Sequence, residues 1–217
     1  MRTVILDLDG TLADTSADLI AAANAALGAD ALDPGQDAGT AFRGGRAMLR
    51  LGLERTRGAW TGPEVDALYQ PLLDHYETNI DGTTRLYDGA ADAVREMRDL
   101  GWRIGVCTNK PEGLAEELLR RLGVRDLFHS LIGADRLAVR KPHPDHYRQA
   151  VIEAEGDLSR SLLVGDTETD RETARAAGVP CVLVGFGPEG TGVARLEPDA
   201  ILDRYADLPG LVRRLIP

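Results

Sequence analysis

The feature that most constrains this chain is an alternation. Short apolar runs of strand length are separated by longer stretches in which apolar residues return at helical spacing. The runs lie at 3–8, 103–107, 131–133, 161–164 and 181–184, and several are rich in Val and Ile. Continuous apolar runs of this length read as strands buried on both faces. Between them, Ala90, Val94, Met97 and Leu100, then Leu114, Leu118 and Leu122, repeat with the period of a helix. Gly101, Gly123 and Gly178 stand where each helix would need a left-handed residue at its C-terminal end. Strand, helix and strand repeated in this way predict an α/β fold: a doubly wound parallel sheet with helices on both faces.

One segment breaks the alternation. Over 15–84 there is no convincing buried strand, only helical patterns such as Leu19-Ile20-Ala23-Leu27 and Val65-Leu68-Leu72. A first crossover packed on the sheet is the plainer reading, but roughly 70 residues is far longer than such connections usually run. A small all-helical domain over 15–84, inserted after the first strand into a core of 1–14 and 85–217, is therefore expected. The segments 30–39 and 82–85, rich in Gly, Pro, Asp and Thr, would serve as joints. A chain of 217 residues is long enough for both parts.

Charge narrows the partners. Thirty-five acidic against 25 basic residues give a formal charge of -10, which opposes binding to nucleic acid or to an anionic membrane surface. A small anionic ligand would need a local basic patch. Cys107 and Cys181 are far apart, each inside an apolar run, so neither a disulfide framework nor a cysteine zinc site is expected. The apolar run at the N-terminus is interrupted by Asp7 and Asp9 before it reaches signal-peptide or membrane-span length, and a cytoplasmic location is expected.

The reactive side chains fall at one edge. Asp7 and Asp9 end the first strand, Thr108-Asn109-Lys110 follows the second, Lys141 lies in the loop after the third, and Asp166 follows the fourth. In an open parallel sheet the carboxyl edge is where ligands bind, at the crevice where the strand order reverses. If the strand stays extended through Asp9, Asp7 and Asp9 share a face, with charges about 7 Å apart and a repulsion on the order of 2 kcal/mol at an effective dielectric near 20. Something cationic must compensate. Hard oxygen ligands suit Mg²⁺, which accepts waters and substrate phosphate in its shell.

Taken together these motifs resemble the haloacid-dehalogenase-like phosphohydrolase superfamily. Asp7-Leu8-Asp9-Gly10-Thr11 matches its Asp-x-Asp-x-Thr motif, Thr108 its second, Lys141 in Lys141-Pro142-His143-Pro144 its third, and Gly165-Asp166-Thr167-Glu168-Thr169-Asp170 its fourth. Within it, the run 7–27, Thr108-Asn109-Lys110 and the Lys141 segment look most like phosphoglycolate phosphatases. Asp145-His146-Tyr147 and the Thr-Glu-Thr between the late aspartates depart from that branch.

The resemblance implies a Rossmann-like core, a helical cap and a set of roles. Asp7 would attack phosphorus to form an aspartyl phosphate. Asp9 would protonate the leaving alkoxide, then activate the water, with its backbone carbonyl on the metal. Thr108, Asn109 and Thr11 would hold the substrate, and Lys141 would offset the charge around Asp7. Asp7, Asp9, Asp166 and Asp170 would form the Mg²⁺ site, with Asp170 either a ligand or an outer partner. In Phe42-Arg43-Gly44-Gly45-Arg46, Arg43 or Arg46 would read a substrate carboxylate. His143 and His146 show no metal-ligand pattern and are expected at a helix start or on the surface. The implied activity is Mg²⁺-dependent hydrolysis of a small phosphorylated metabolite, most simply 2-phosphoglycolate. A sugar-phosphate mutase, a pyrophosphatase and a non-catalytic binding protein on the same fold are the alternatives.

Overall fold

Every residue of the strands Thr3–Leu6, Ser130–Ile132, Ser161–Gly165 and Cys181–Val184 is buried, which requires cover on both faces of the sheet they form. The computed structural model describes all 217 residues and divides into two units, Met1–Ala13 with Leu86–Pro217, and Asp14–Arg85. The chain runs β1 (Thr3–Leu6), β2 (Ala13–Asp14), α1 (Ser16–Leu27), α2 (Pro34–Ala41), α3 (Gly45–Arg57), α4 (Gly62–Thr78), β3 (Arg85–Leu86), α5 (Ala90–Asp99) and β4 (Arg103–Cys107). It continues through α6 (Glu112–Arg121), β5 (Ser130–Ile132), α7 (Pro144–Glu153), β6 (Ser161–Gly165), α8 (Glu168–Ala177), β7 (Cys181–Val184), β8 (Ala200–Leu202) and α9 (Leu208–Leu215).

The first unit is built on a six-stranded sheet in the order β5-β4-β1-β6-β7-β8, with every pairing parallel. After β1 the chain builds outward through β4 and β5, then returns to the other side of β1 for β6, β7 and β8. The strand order therefore reverses at β1, and the crevice of a doubly wound sheet opens at its carboxyl end. Leu6 pairs with Val106 on one side and Val164 on the other, so the residues that follow these three strands emerge side by side. The sheet edge carries β8, which the sequence reading missed; it holds three residues and is only half buried at Ala200 and Ile201.

The helices follow the expected stripes with local shifts. In α5 the buried positions are Ala90, Ala93, Val94 and Met97. Leu100 is 45% exposed because the helix ends at Asp99 and the chain leaves helical phase there. In α6 the buried face is Ala115, Leu118 and Leu119, with Leu114 and Leu122 half buried. Gly178 is the left-handed C-cap of α8, at φ 75°.

The second unit contains α1 to α4. Gly52 in α3 lies so close to α1 that a methyl group there would fall 2.2 Å from Leu27 Cδ1. Asp18 near the start of α1 accepts from the backbone N–H and hydroxyl groups of both Thr83 and Thr84, at 2.7–3.0 Å, tying the unit's entry to its exit. Burial opposes the charge on Asp18, and these hydrogen bonds override it and hold the carboxyl below its ordinary range. No helix in the chain is long and apolar enough to cross a membrane.

Candidate active site

The strand β1 ends at Leu6, two residues earlier than the apolar run suggested, and a tight loop takes over. Gly10 sits at φ 80°, and the N–H groups of Thr11, Leu12 and Ala13 all turn back to the carbonyl of Leu8. This turn separates the first two aspartates. The Asp7 carboxylate accepts from the N–H of Leu8 and pairs with Lys141 Nζ at 3.0 Å, whereas the Asp9 carboxylate pairs with Lys110 Nζ at 3.0 Å. The expected shared face for both carboxylates is thus replaced by two neighbouring acid–lysine pairs.

Around Asp7 the charges crowd. Asp7, Asp166 and Asp170 are buried, and each offers an oxygen within 4.8 Å of the others. Lys141, 3% exposed, reaches Asp170 Oδ1 at 2.6 Å as well as Asp7. Burial pushes the Asp7 carboxyl up to about 6; Lys141 pulls the other way, while Asp170 and Asp9 add to the rise. Asp166 is raised well above the usual carboxylate range by burial, then by Asp170 and Asp7. Burial also works against the Lys141 ammonium, but Asp170 and Asp7 hold it protonated more firmly than a free lysine.

Each participant is fixed by local structure. Asp170 is the third residue of α8 and closes a capping box with Thr167. Its Oδ2 accepts from the N–H of Asp166, the N–H of Thr167 and the Thr167 hydroxyl. Gly165 makes this possible, since a methyl group there would lie 2.3 Å from both Cβ and Cγ of Asp170. Gly165→Ala is therefore expected to cost about 2–3 kcal/mol through overpacking. That would lower the melting temperature by about 5–10 °C, readable by calorimetry.

Thr11 is fully buried and its hydroxyl donates to Asp166 Oδ1 at 3.0 Å, so it orients that carboxylate from inside the protein. Thr108, 1% exposed, accepts from the N–H of Lys110 and is pinned to β5 by its own N–H on Ile132 O. Asn109 Nδ2 donates to the carbonyl of Lys141, joining the loop after β4 to the loop that carries the lysine. His143 caps α7, accepting from the N–H of Asp145. His146, expected at a helix start or on the surface, is fully buried, with Nε2 2.9 Å from Gly133 O and Nδ1 3.3 Å from Cys107 Sγ. It links the ends of β4 and β5, and both of its ring nitrogens have partners within the core.

A model of the haloacid dehalogenase-like hydrolases matches residues 1–178, which contain all of these side chains. The chain belongs to this family. Among curated relatives of this hydrolase, a phosphoglycolate phosphatase from Mesorhizobium japonicum is 38% identical over 98% of this chain and 96% of its own. Another, from Agrobacterium fabrum, is 36% identical over 98% and 93%. In the solved structures, a predicted phosphoglycolate phosphatase from Haemophilus somnus shares the fold with a TM-score of 0.84 at 24% identity, covering 97% of each chain. CbbY from Rhodobacter sphaeroides, solved with xylulose-(1,5)bisphosphate, superposes with a TM-score of 0.75 at 25% identity over 96% of each chain.

The sequence places Lys110 at the carboxyl edge without giving it a partner, and it carries no signal at all for Tyr205. Lys110 is 6% exposed rather than solvated, and Tyr205, fully buried, donates its hydroxyl to Thr11 O at 2.6 Å. Tyr205 stacks with Phe186, which in turn meets Tyr87, so an aromatic group braces the Asp9–Ala13 turn from behind. No spacing signal marks Tyr205, nearly 200 residues from the turn it supports. In the second unit, Arg46 pairs with Asp66 at 3.0 Å and lies 3.8 Å over the ring of Tyr69, while Arg43 is exposed between α2 and α3.

Proposed function

We propose that this phosphatase hydrolyses 2-phosphoglycolate through a phosphorylated Asp7, as a Mg²⁺-dependent enzyme of the cytoplasm. The observation that carries the reading is the sorting of the two acids onto two lysines. Asp7 sits with Lys141 inside the acidic cluster, and Asp9 stands apart on Lys110, so two carboxylates two residues apart are equipped for different work.

Three buried carboxylates around one ammonium leave about two negative charges uncompensated, and Asp7 and Asp166 are raised by burial first and by their acidic neighbours after it. A hard divalent cation fits this oxygen set. Asp7, Asp166 and the backbone carbonyl of Asp9 would hold it. Asp170, with both oxygens already accepting from Lys141, Thr167 and Asp166, would serve behind them. When bound, Mg²⁺ supplies charge neutralisation at the phosphoryl oxygens.

The chain's own groups account for the rest. An Asp7 oxygen attacks phosphorus as the bond to the substrate oxygen breaks, and Asp9 gives its proton to that leaving alkoxide. In the second step Asp9 takes a proton from water, whose oxygen displaces the Asp7 carboxylate and releases phosphate. Thr108 has its hydroxyl proton to donate to a phosphoryl oxygen, and the Lys141 ammonium stands where negative charge accumulates. The helical segment 15–84 would be a cap domain, with Arg43 and Arg46 as candidate substrate-binding residues.

The test is phosphate release from 2-phosphoglycolate, hexose phosphates, pyrophosphate, nucleotides and pyridoxal phosphate, with Mg²⁺ or EDTA. A preference for 2-phosphoglycolate is expected. Transfer of phosphate to a second hydroxyl of a hexose phosphate, without release, would instead make the enzyme a mutase.

A further inference from the structure

We propose that Lys110 is the specificity-determining residue that reads a carboxylate on the alcohol side of the substrate. This rests on the phosphatase reading above, but not on 2-phosphoglycolate being the preferred ester.

Lys110 is a buried ammonium, its side chain 3% exposed, with Nζ 3.0 Å from Asp9 Oδ1. Taking such a charge out of water is costly unless it is paired, and a lysine placed this way at a ligand edge needs a reason. Its backbone is held on both sides: its N–H donates to Thr108 Oγ1 at 3.2 Å and its carbonyl accepts from the N–H of Ala134 at 2.9 Å. The ammonium is thus presented from a fixed part of the core.

The two lysines divide the substrate between them. Lys141 touches Asp7 and Asp170, which places it with the nucleophile, on the phosphoryl side. Lys110 touches the acid that must come within hydrogen-bond reach of the leaving oxygen, about 3 Å. Its Nζ is therefore one further hydrogen bond from that oxygen, on the alcohol side. In an ester whose alcohol carbon carries a carboxylate, the carboxylate oxygens lie only three bonds from the leaving oxygen. Once Asp9 has given up its proton, that group would face its carboxylate at close range unless a cation stood between them. An ammonium has three donors and so can bridge Asp9 and the substrate carboxylate together. The Asp9 side chain, 17% exposed, leaves this pair more open than the enclosed Asp7 cluster.

The experiment compares kcat/KM for carboxylated esters (2-phosphoglycolate, 2-phospholactate, 2-phosphoglycerate) with matched esters uncharged on the alcohol side (ethyl phosphate, glycerol 2-phosphate). The proteins are the wild type, Lys110→Met, Lys110→Gln, Lys110→Arg, Arg43→Ala and Arg46→Ala, with melting curves confirming that each is folded. Loss of the Asp9 partner should lower Lys110→Met and Lys110→Gln on every ester by a common factor. Beyond that, the ratio of carboxylated to uncharged ester should fall about 30-fold or more, as expected for a charge-assisted contact. Lys110→Arg should keep most of the ratio. An equal loss on both ester classes would mean that Lys110 acts only through Asp9 and would overturn the proposal. So would a wild type indifferent to the carboxylate, or a ratio erased in the arginine variants but intact in Lys110→Met. Collapse of the ratio on an acid other than 2-phosphoglycolate would uphold Lys110 while rejecting the proposed substrate.

Discussion

Asp7→Asn is expected to lose phosphate release by a factor on the order of 10⁴ or more while melting, without divalent cation at pH 8, no lower than the wild type. The two halves of this result have one cause. The carboxylate is the proposed nucleophile, and an amide oxygen in its place forms no stable phosphoryl ester. It is also a buried anion among anions, whose folded state binds its proton up to about pH 6, above the ordinary range of a free aspartate. The sign follows from linkage: between the unfolded and the folded pKa the folded state holds the extra proton, so apo stability falls as pH rises through that window. An amide carries no such penalty, and its Oδ1 still accepts from the N–H of Leu8, as Asp7 does at 2.7 Å. Lys141 keeps Asp170 at 2.6 Å, so removal of Asp7 does not strand the ammonium. The gap in melting temperature between variant and wild type should close as the pH is lowered toward 4. A variant that melts well below the wild type at pH 8 would contradict this account, as would one that retains turnover.

What the sequence made legible has a physical pattern. Five strands of the sheet were visible because buried parallel strands must be apolar along their whole length, and the carboxyl edge then located Asp7, Thr108, Lys141 and Asp166 without any distance being known. The sixth strand, β8, escaped because three residues half exposed at an edge carry too little apolar signal. Side-chain direction was the harder matter. The expectation that Asp7 and Asp9 share a face assumed extended backbone, and the Gly10 turn ended the strand at Leu6 and sent Asp9 to Lys110. For the same reason the sequence places Lys110 only at the carboxyl edge and reads Thr11 as a substrate contact, whereas Lys110 is buried against Asp9 and the Thr11 hydroxyl is given to Asp166. The placement of Thr11 depends on Tyr205 and on Asp166 at the end of β6, both remote from it in sequence. His146 likewise looked polar and peripheral, yet hydrogen bonds to Gly133 and Cys107 allow it to be fully buried.

Removal of divalent cation should give the second large effect, and its pH dependence is the more telling part. EDTA is expected to abolish turnover to within detection, because the phosphoryl group brings further negative charge to a site already about two charges short. Mg²⁺ at 100 times its dissociation constant should stabilise the folded protein by about 2.7 kcal/mol. For a chain of this size that is an increase of about 5–10 °C in melting temperature. Protons compete for the same oxygens. Asp7, raised to about 6, is already ionised at pH 8 and takes up its proton as the pH falls through 6, and Asp166, raised well above the ordinary carboxylate range, holds its proton more firmly than a free aspartate. The increment from Mg²⁺ should therefore be large at pH 8 and small at pH 5, whereas chelation by ordinary exposed carboxylates with pKa near 4 would give nearly the same increment at both. Asp166→Asn should abolish the increment at both pH values, since Thr11 would still fix the side chain but the charge would be gone. Melting curves over a MgCl₂ series at the two pH values decide the matter, and an increment that does not change between them, or that survives Asp166→Asn, would move the cation away from the Asp7 and Asp166 pair.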